Sequence, residues 1–103
     1  MNAMATAVRT VQIVKTPGVR GGKARIEGSR ICVLDIAYAS KEGLTPEQIQ
    51  GEYPDLTLAD IYAALSYFYG NTDEIEAEMR KDREWEEGFE SRKADLMAKR
   101  ASQ

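Results

Sequence analysis

The stretch TPEQIQGEYPDLTLADIYAALSYFYG, Thr45 to Gly70, decides the fold. It holds two helix starts of the same form. Thr45 precedes Pro46 with Gln48 three residues on, and Thr57 precedes Leu58 with Asp60 three residues on. In such a pair the threonine hydroxyl accepts from the amide three residues ahead, and the side chain there accepts from the threonine's own amide. Donors that a helix start leaves open are thereby satisfied. Proline suits the first helical position, where its missing N–H is not needed. The first of these helices runs to Glu52, and Pro54 stops it by disfavouring helical geometry in the residue before it. The second carries Ile61, Leu65 and Phe68 on one face and ends at Gly70. Pro46 to Glu52, a turn from Tyr53 to Leu56, and Leu58 to Tyr69 read as a helix-turn-helix unit.

Moving toward the N-terminus, Asp35 is placed to cap a short helix through Lys41 or Glu42. Gly43 supplies the left-handed end, and the apolar Leu44 follows it. Ala24 to Glu27 and Arg30 to Val33 read as extended pieces around a Gly28-Ser29 hairpin turn. Val8 to Lys15 alternates Val11 and Ile13 against Gln12, the period of a strand, until Thr16-Pro17-Gly18 breaks it. Toward the C-terminus a fourth helix starts at an Asn71 cap with Glu74 closing the box. Asp73, Glu74 and Glu76 favour its positive end, and Lys99 and Arg100 its negative end. Apolar residues there are sparse: Ile75, Met79, Trp85, Phe89, Leu96 and Met97. The expected fold is mainly α with an α+β cast: short N-terminal β-strands, a three-helix helix-turn-helix bundle and a long C-terminal helix. Residues 8–71 form the domain and residues 72–100 its helical extension.

Composition narrows the chemistry. The 103 residues include no histidine and one cysteine, Cys32. An intramolecular disulfide, a zinc cluster and a Ser-His or Cys-His pair are therefore excluded. Gly21-Gly22-Lys23 lacks the spacing of a phosphate loop. The carboxylates fall on solvated faces and helix starts, so neither catalysis nor a cofactor is expected. Cys32, between Ile31 and Val33, reads as a buried thiol. No apolar run reaches membrane-spanning length, and the first residues lack the order of a signal peptide, so a cytoplasmic protein without membrane contact is expected.

Charge is polarised along the chain. Residues 1–41 carry seven cations and two anions, residues 42–79 nine anions and no cation, and residues 80–103 seven cations and six anions. Either the basic leader faces an external polyanion or it faces the acidic middle of its own fold. A helix-turn-helix that binds DNA sets its last helix in the major groove. Here that helix carries no Lys or Arg, and Asp60 repels phosphate. The candidate DNA contacts are therefore Lys23, Arg25 and Arg30 of the leader, with Thr57, Tyr62 and Ser66 of the third helix. The competing expectation pairs Arg25 and Arg30 with carboxylates of the middle. Tyr53 is expected in the core, and at least one of Tyr62 and Tyr67 is expected outside.

Three blocks stand in order: GGKARIEGSRICVLDI (Gly21 to Ile36), EGLTPEQI (Glu42 to Ile49) and YPDLTLADIYAALSYFYGN (Tyr53 to Asn71). Together they resemble a widespread bacterial and archaeal family of small proteins, catalogued as a domain of unknown function and described as antitoxin-like. Gly28, Arg30 and Ile31 match its Gly-x-Arg-Ile block, and Tyr53, Pro54, Leu56 and Thr57 its turn block. Ala24 stands for the usual proline and Ser29 for the usual threonine. The resemblance covers residues 21–71 and implies a homeodomain-like three-helix domain behind short strands. Its members often lie beside a PIN-type ribonuclease, which implies the antitoxin half of a toxin–antitoxin pair. Two expectations follow. In one, a dimer binds operator DNA for autoregulation while Trp85, Phe89 and Leu96 of the C-terminal helix anchor a partner toxin. In the other, the scaffold is a protein-interaction module without DNA binding. Self-association is expected through Val8 to Lys15 or through the fourth helix.

Overall fold

The computed structural model describes residues 10–101. Its elements are β1 (Ile13–Val14), a 3-10 turn (Arg20–Gly22), β2 (Arg25–Ile26), α1 (Val33–Lys41), α2 (Pro46–Glu52), α3 (Leu58–Gly70) and α4 (Thr72–Ala101). The chain divides into two compact units, one ending at Gly70 and the other beginning at Asn71.

In the first unit β1 and β2 pair antiparallel, Ile13 opposite Ile26 and Val14 opposite Arg25. Both strands are shorter than expected. Of the predicted Val8 to Lys15 strand only Ile13 and Val14 pair, and Val8 and Arg9 lie outside the described residues. Arg30 to Val33 is not a strand: Cys32 makes a single bridge to Arg25, and Val33 already opens α1. The reason is the tightness of the turn. Gly28 sits at φ +82°, where only glycine is unstrained. The Ser29 hydroxyl donates to the Ile26 carbonyl at 2.9 Å and accepts from the Ile31 amide at 3.1 Å. The chain is thereby turned straight into the next helix.

That helix corrects a second expectation. Cys32, not Asp35, holds the N-cap position of α1; Asp35 lies three residues inside, and its carboxylate accepts from the Cys32 amide at 2.9 Å. The aspartate thus reaches back and opens the helix earlier than a cap at Asp35 itself would. At the other end Gly43 adopts φ +96°. Its amide bonds the Ser40 carbonyl at 3.0 Å and the Leu44 amide bonds Ala39 at 3.2 Å, the paired bonds of a left-handed helix end.

Both threonine starts form as read. Thr45 accepts from the Gln48 amide at 3.2 Å, and Gln48 accepts in return at 2.8 Å. Thr57 accepts from the Asp60 amide at 3.1 Å, and Asp60 accepts in return at 2.8 Å. Gly70 is itself the last residue of α3, in helical rather than left-handed geometry.

The core of the first unit is built from Val33, Leu34, Ile36 and Ala37 of α1, Ile49 of α2, and Ile61, Ala64, Leu65 and Phe68 of α3. Ala24, Ile26, Cys32 and Leu56 close it. α3 is the central element, packed on α1, α2 and both strands. Each fully buried aliphatic side chain contributes about 1.5–3 kcal/mol, so the helix that would enter a DNA groove spends one face holding the unit together. In the second unit, α4 is 30 residues long. Ile75 and Met79 are buried; from Arg80 to Arg100 every residue is exposed except the half-buried Asp82 and Gly88.

Candidate functional site

Two arginines of the basic leader, Arg20 and Arg25, hold its own loops. Arg20 takes a left-handed φ of 49°, and its Nη1 donates to the Arg30 carbonyl at 2.8 Å and to Asp35 Oδ2 at 3.3 Å. Asp35 therefore both opens α1 and anchors the leader, and its charge raises the Arg20 pKa. Both side chains are partly open to solvent, so the pair itself adds at most about 1 kcal/mol.

Arg25 is half-buried. Its Nη1 donates to the Ser29 carbonyl at 2.9 Å and its Nη2 to Thr16 Oγ1 at 3.0 Å. The guanidinium fork joins the Gly28 turn to the Thr16 loop. Its hydrogen-bond partners are a carbonyl and a hydroxyl rather than the expected carboxylates of the acidic middle. Arg30 is exposed and Lys23 half-buried, and neither side chain makes a hydrogen bond or ion pair among the described residues.

Two loops converge over the start of α3. The Gly28 turn faces the Tyr53–Leu56 turn across a recess of about 550 Å³. Glu27, Glu52, Asp55 and Asp60 line it, with Arg30 as its cation. An adjoining, shallower hollow of about 870 Å³ shares Glu27, Gly28 and Asp60, and adds Thr57 and the chain from Thr10 to Gln12. Of the six residues singled out for DNA, Arg30 and Thr57 are brought to these neighbouring hollows. Lys23, Arg25, Tyr62 and Ser66 line neither. Tyr53 borders the recess, half-buried rather than in the core. Burial pushes its phenol up, Asp35 and Glu52 add to that, and Arg20 opposes it. The recess itself is not legible in the sequence. The one available signal is that the Gly-x-Arg-Ile and Tyr-Pro-x-Leu-Thr blocks, which carry the family resemblance, are the segments that meet there. The Arg20–Asp35 contact has no sequence signal.

The outer face of α3 is uncharged and partly apolar. Tyr62 and Tyr69 are 52% and 67% exposed, Leu58 is 40% exposed, and Ser66 lies one turn from Tyr62. Tyr67 is half-buried. The Thr57 hydroxyl, a candidate DNA contact, accepts from the Asp60 amide at 3.1 Å and so caps α3. Residues 46–70 hold Glu47, Glu52, Asp55 and Asp60 and no cation. A groove lined with phosphates would meet carboxylates there.

The second unit presents different chemistry. Trp85 and Phe89 stack with ring centroids 5.6 Å apart and planes 7° from parallel, and Trp85, Phe89, Leu96 and Met97 are all exposed. Among the described residues no group of three or more His, Cys, Asp or Glu side chains is placed to hold a metal ion. No described helix is long and apolar enough to cross a membrane.

A two-stranded ribbon feeding three helices, with two signature loops meeting over the start of the third, defines a small α+β protein of helix-turn-helix type. The chain belongs to the family described as protein of unknown function (DUF433), whose model matches residues 13–68. It is similar to the crystal structure of a DUF433 member protein from Anabaena variabilis ATCC 29413, solved at 2.00 Å resolution. Identity is 37% and the TM-score 0.60, over 68% of this chain and 67% of that chain. A comparison with curated proteins finds no match.

Proposed function

We propose that this chain works by binding protein rather than nucleic acid, as the antitoxin-type partner of a PIN-type ribonuclease, with α4 supplying the contact. The observation that carries the reading is the exposed row Trp85, Phe89 and Leu96 on α4. Large aromatic side chains left in water at helical spacing gain most when a partner covers them, and such residues tend to dominate interface energy. The ribonuclease as partner comes from the family resemblance.

The charge pattern supports the negative half of the proposal. The α2–α3 segment, which would face a groove, carries four carboxylates and no cation. Autoregulatory operator binding has support from Lys23 and Arg30, whose side chains are unengaged among the described residues. Two such cations give too little phosphate neutralisation for tight binding unless copies combine.

The test is cleavage of labelled RNA by a PIN-type ribonuclease from the same genome. The intact chain is expected to suppress cleavage, and Trp85→Ala with Phe89→Ala to restore it. Suppression that survives the double substitution, or that never occurs with the intact chain, overturns the reading.

A further inference from the structure

The exposed length of α4 is not uniformly charged, and its pattern specifies a partner. Trp85, Phe89, Arg92 and Leu96 follow one another at four, three and four residues, which places them on one narrow stripe of the helix. Asp82 and Lys99 extend that stripe at either end. The Arg92 guanidinium folds back toward the helix start, over Gly88: a Cβ at Gly88 would stand 3.4 Å from Arg92 Nη1.

Laying this stripe against a second copy of itself gives different results in the two directions. In a parallel, in-register pair each residue meets its own image. Arg92 faces Arg92, Lys99 faces Lys99 and Asp82 faces Asp82, which are like charges in desolvated layers. In an antiparallel pair centred between Glu90 and Ser91, Trp85 meets Leu96 of the second copy and Phe89 meets Arg92. Asp82 meets Lys99. Beside these layers Glu86 flanks Lys93 of the second copy. Every charged residue of the stripe then faces an opposite charge or an aromatic face, the latter a favourable seat for a guanidinium.

We propose that the exposed part of α4 pairs antiparallel with the same segment of a second copy of this chain. The proposal rests on the reading that this face of α4 binds protein, and it names one such partner. A second copy and a ribonuclease would compete for the same stripe, so toxin capture would proceed by exchange of one helix for another.

Sedimentation equilibrium of the full chain tests it, with Glu86→Lys, Lys93→Glu, the double swap of both, and Trp85→Ala with Phe89→Ala. Circular dichroism checks that each variant keeps its helix content. The intact chain is expected to dimerise. Either single charge reversal places like charges at two symmetric positions and is expected to weaken dimerisation about tenfold. The double swap restores opposite charges in the antiparallel pair alone and is expected to recover the original constant. The aromatic double variant is expected to be monomeric.

An intact chain that stays monomeric at high concentration overturns the pairing. So does a dimer that the double swap fails to rescue, or one indifferent to loss of Trp85 and Phe89. The ribonuclease assay reads the protein-binding role separately: suppression by a chain that never dimerises would remove the second copy while leaving that role in place.

Discussion

Thr57 can be read as a DNA contact or as a helix start, and a substitution separates the two. Its hydroxyl accepts from the Asp60 amide at 3.1 Å, and its own amide donates to Asp60 Oδ2 at 2.8 Å. Thr57→Ala removes the first bond and leaves that amide to water. Because Thr57 is exposed, water can reach the freed amide, which keeps the loss near the middle of the usual range for a helix cap, about 1 kcal/mol. In a unit of this size that corresponds to a fall in Tm of roughly 4–8 °C. Thr57→Ser keeps the acceptor and is expected to lie within a few tenths of a kcal/mol of the parent. Asp60→Ala removes the other bond and also a negative charge at the positive end of α3, so its loss is expected to be at least as large. The two changes together are expected to fall short of their sum, since each half of the box helps to place the other. Urea unfolding followed by near-ultraviolet circular dichroism in a Trp85→Phe background reports on the first unit, which holds all five tyrosines. Equal losses for Thr57→Ala and Thr57→Ser, or no loss for either, would refute the capping argument.

Other consequences can be checked by similar means. Gly43→Ala forces a side chain into a left-handed turn at φ +96°, and is expected to lower stability by about 1 kcal/mol in urea unfolding. Gly88→Ala has the opposite sign: the site is helical, and its nearest neighbour is the movable end of Arg92. Helicity of α4 is therefore expected to rise, by about 0.5–1 kcal/mol of propensity. Tyr53 titrates above its ordinary value in the folded chain, so its neutral form favours folding. That contribution is complete below about pH 10 and is lost as pH rises through the folded pKa. Tyr53→Phe, compared with the parent by urea unfolding across alkaline pH, is expected to show a shallower decline.

The elements easiest to read in the sequence were those governed by local chemistry. The Thr45 and Thr57 starts, the Gly43 end and the α3 stripe of Ile61, Leu65 and Phe68 each depend on residues within one or two turns, and each formed as the pattern implies. Less legible are the places where a side chain acts at a distance from its own position. Asp35 looks like a cap because it precedes an apolar run, yet its carboxylate serves the amide of Cys32 and also receives Arg20 from fifteen residues away. The strands are shorter than the alternation suggests because alternation of apolar residues reports β propensity, whereas pairing length is set by the partner, and only Ile13–Val14 and Arg25–Ile26 meet. For the candidate site, residue types mark Arg25 as a candidate DNA contact but do not show that its fork engages Ser29 and Thr16, a commitment that depends on how two loops meet. The recess over α3 is a product of that same meeting, so no single segment announces it. The exposed aromatics of α4 were legible, because a helix so poor in apolar residues leaves Trp85 and Phe89 with nothing of its own to cover them.

On the proposed reading the chain recognises protein surfaces and not the phosphate backbone. Fluorescence anisotropy of a labelled duplex carrying the sequence upstream of the chain's own reading frame, titrated at several salt concentrations, tests this most directly. No saturable binding is expected at about 0.15 M salt, with a slope of log affinity against log salt close to zero. A steep slope of several phosphates that falls by about one when Arg30 is replaced by alanine would contradict it.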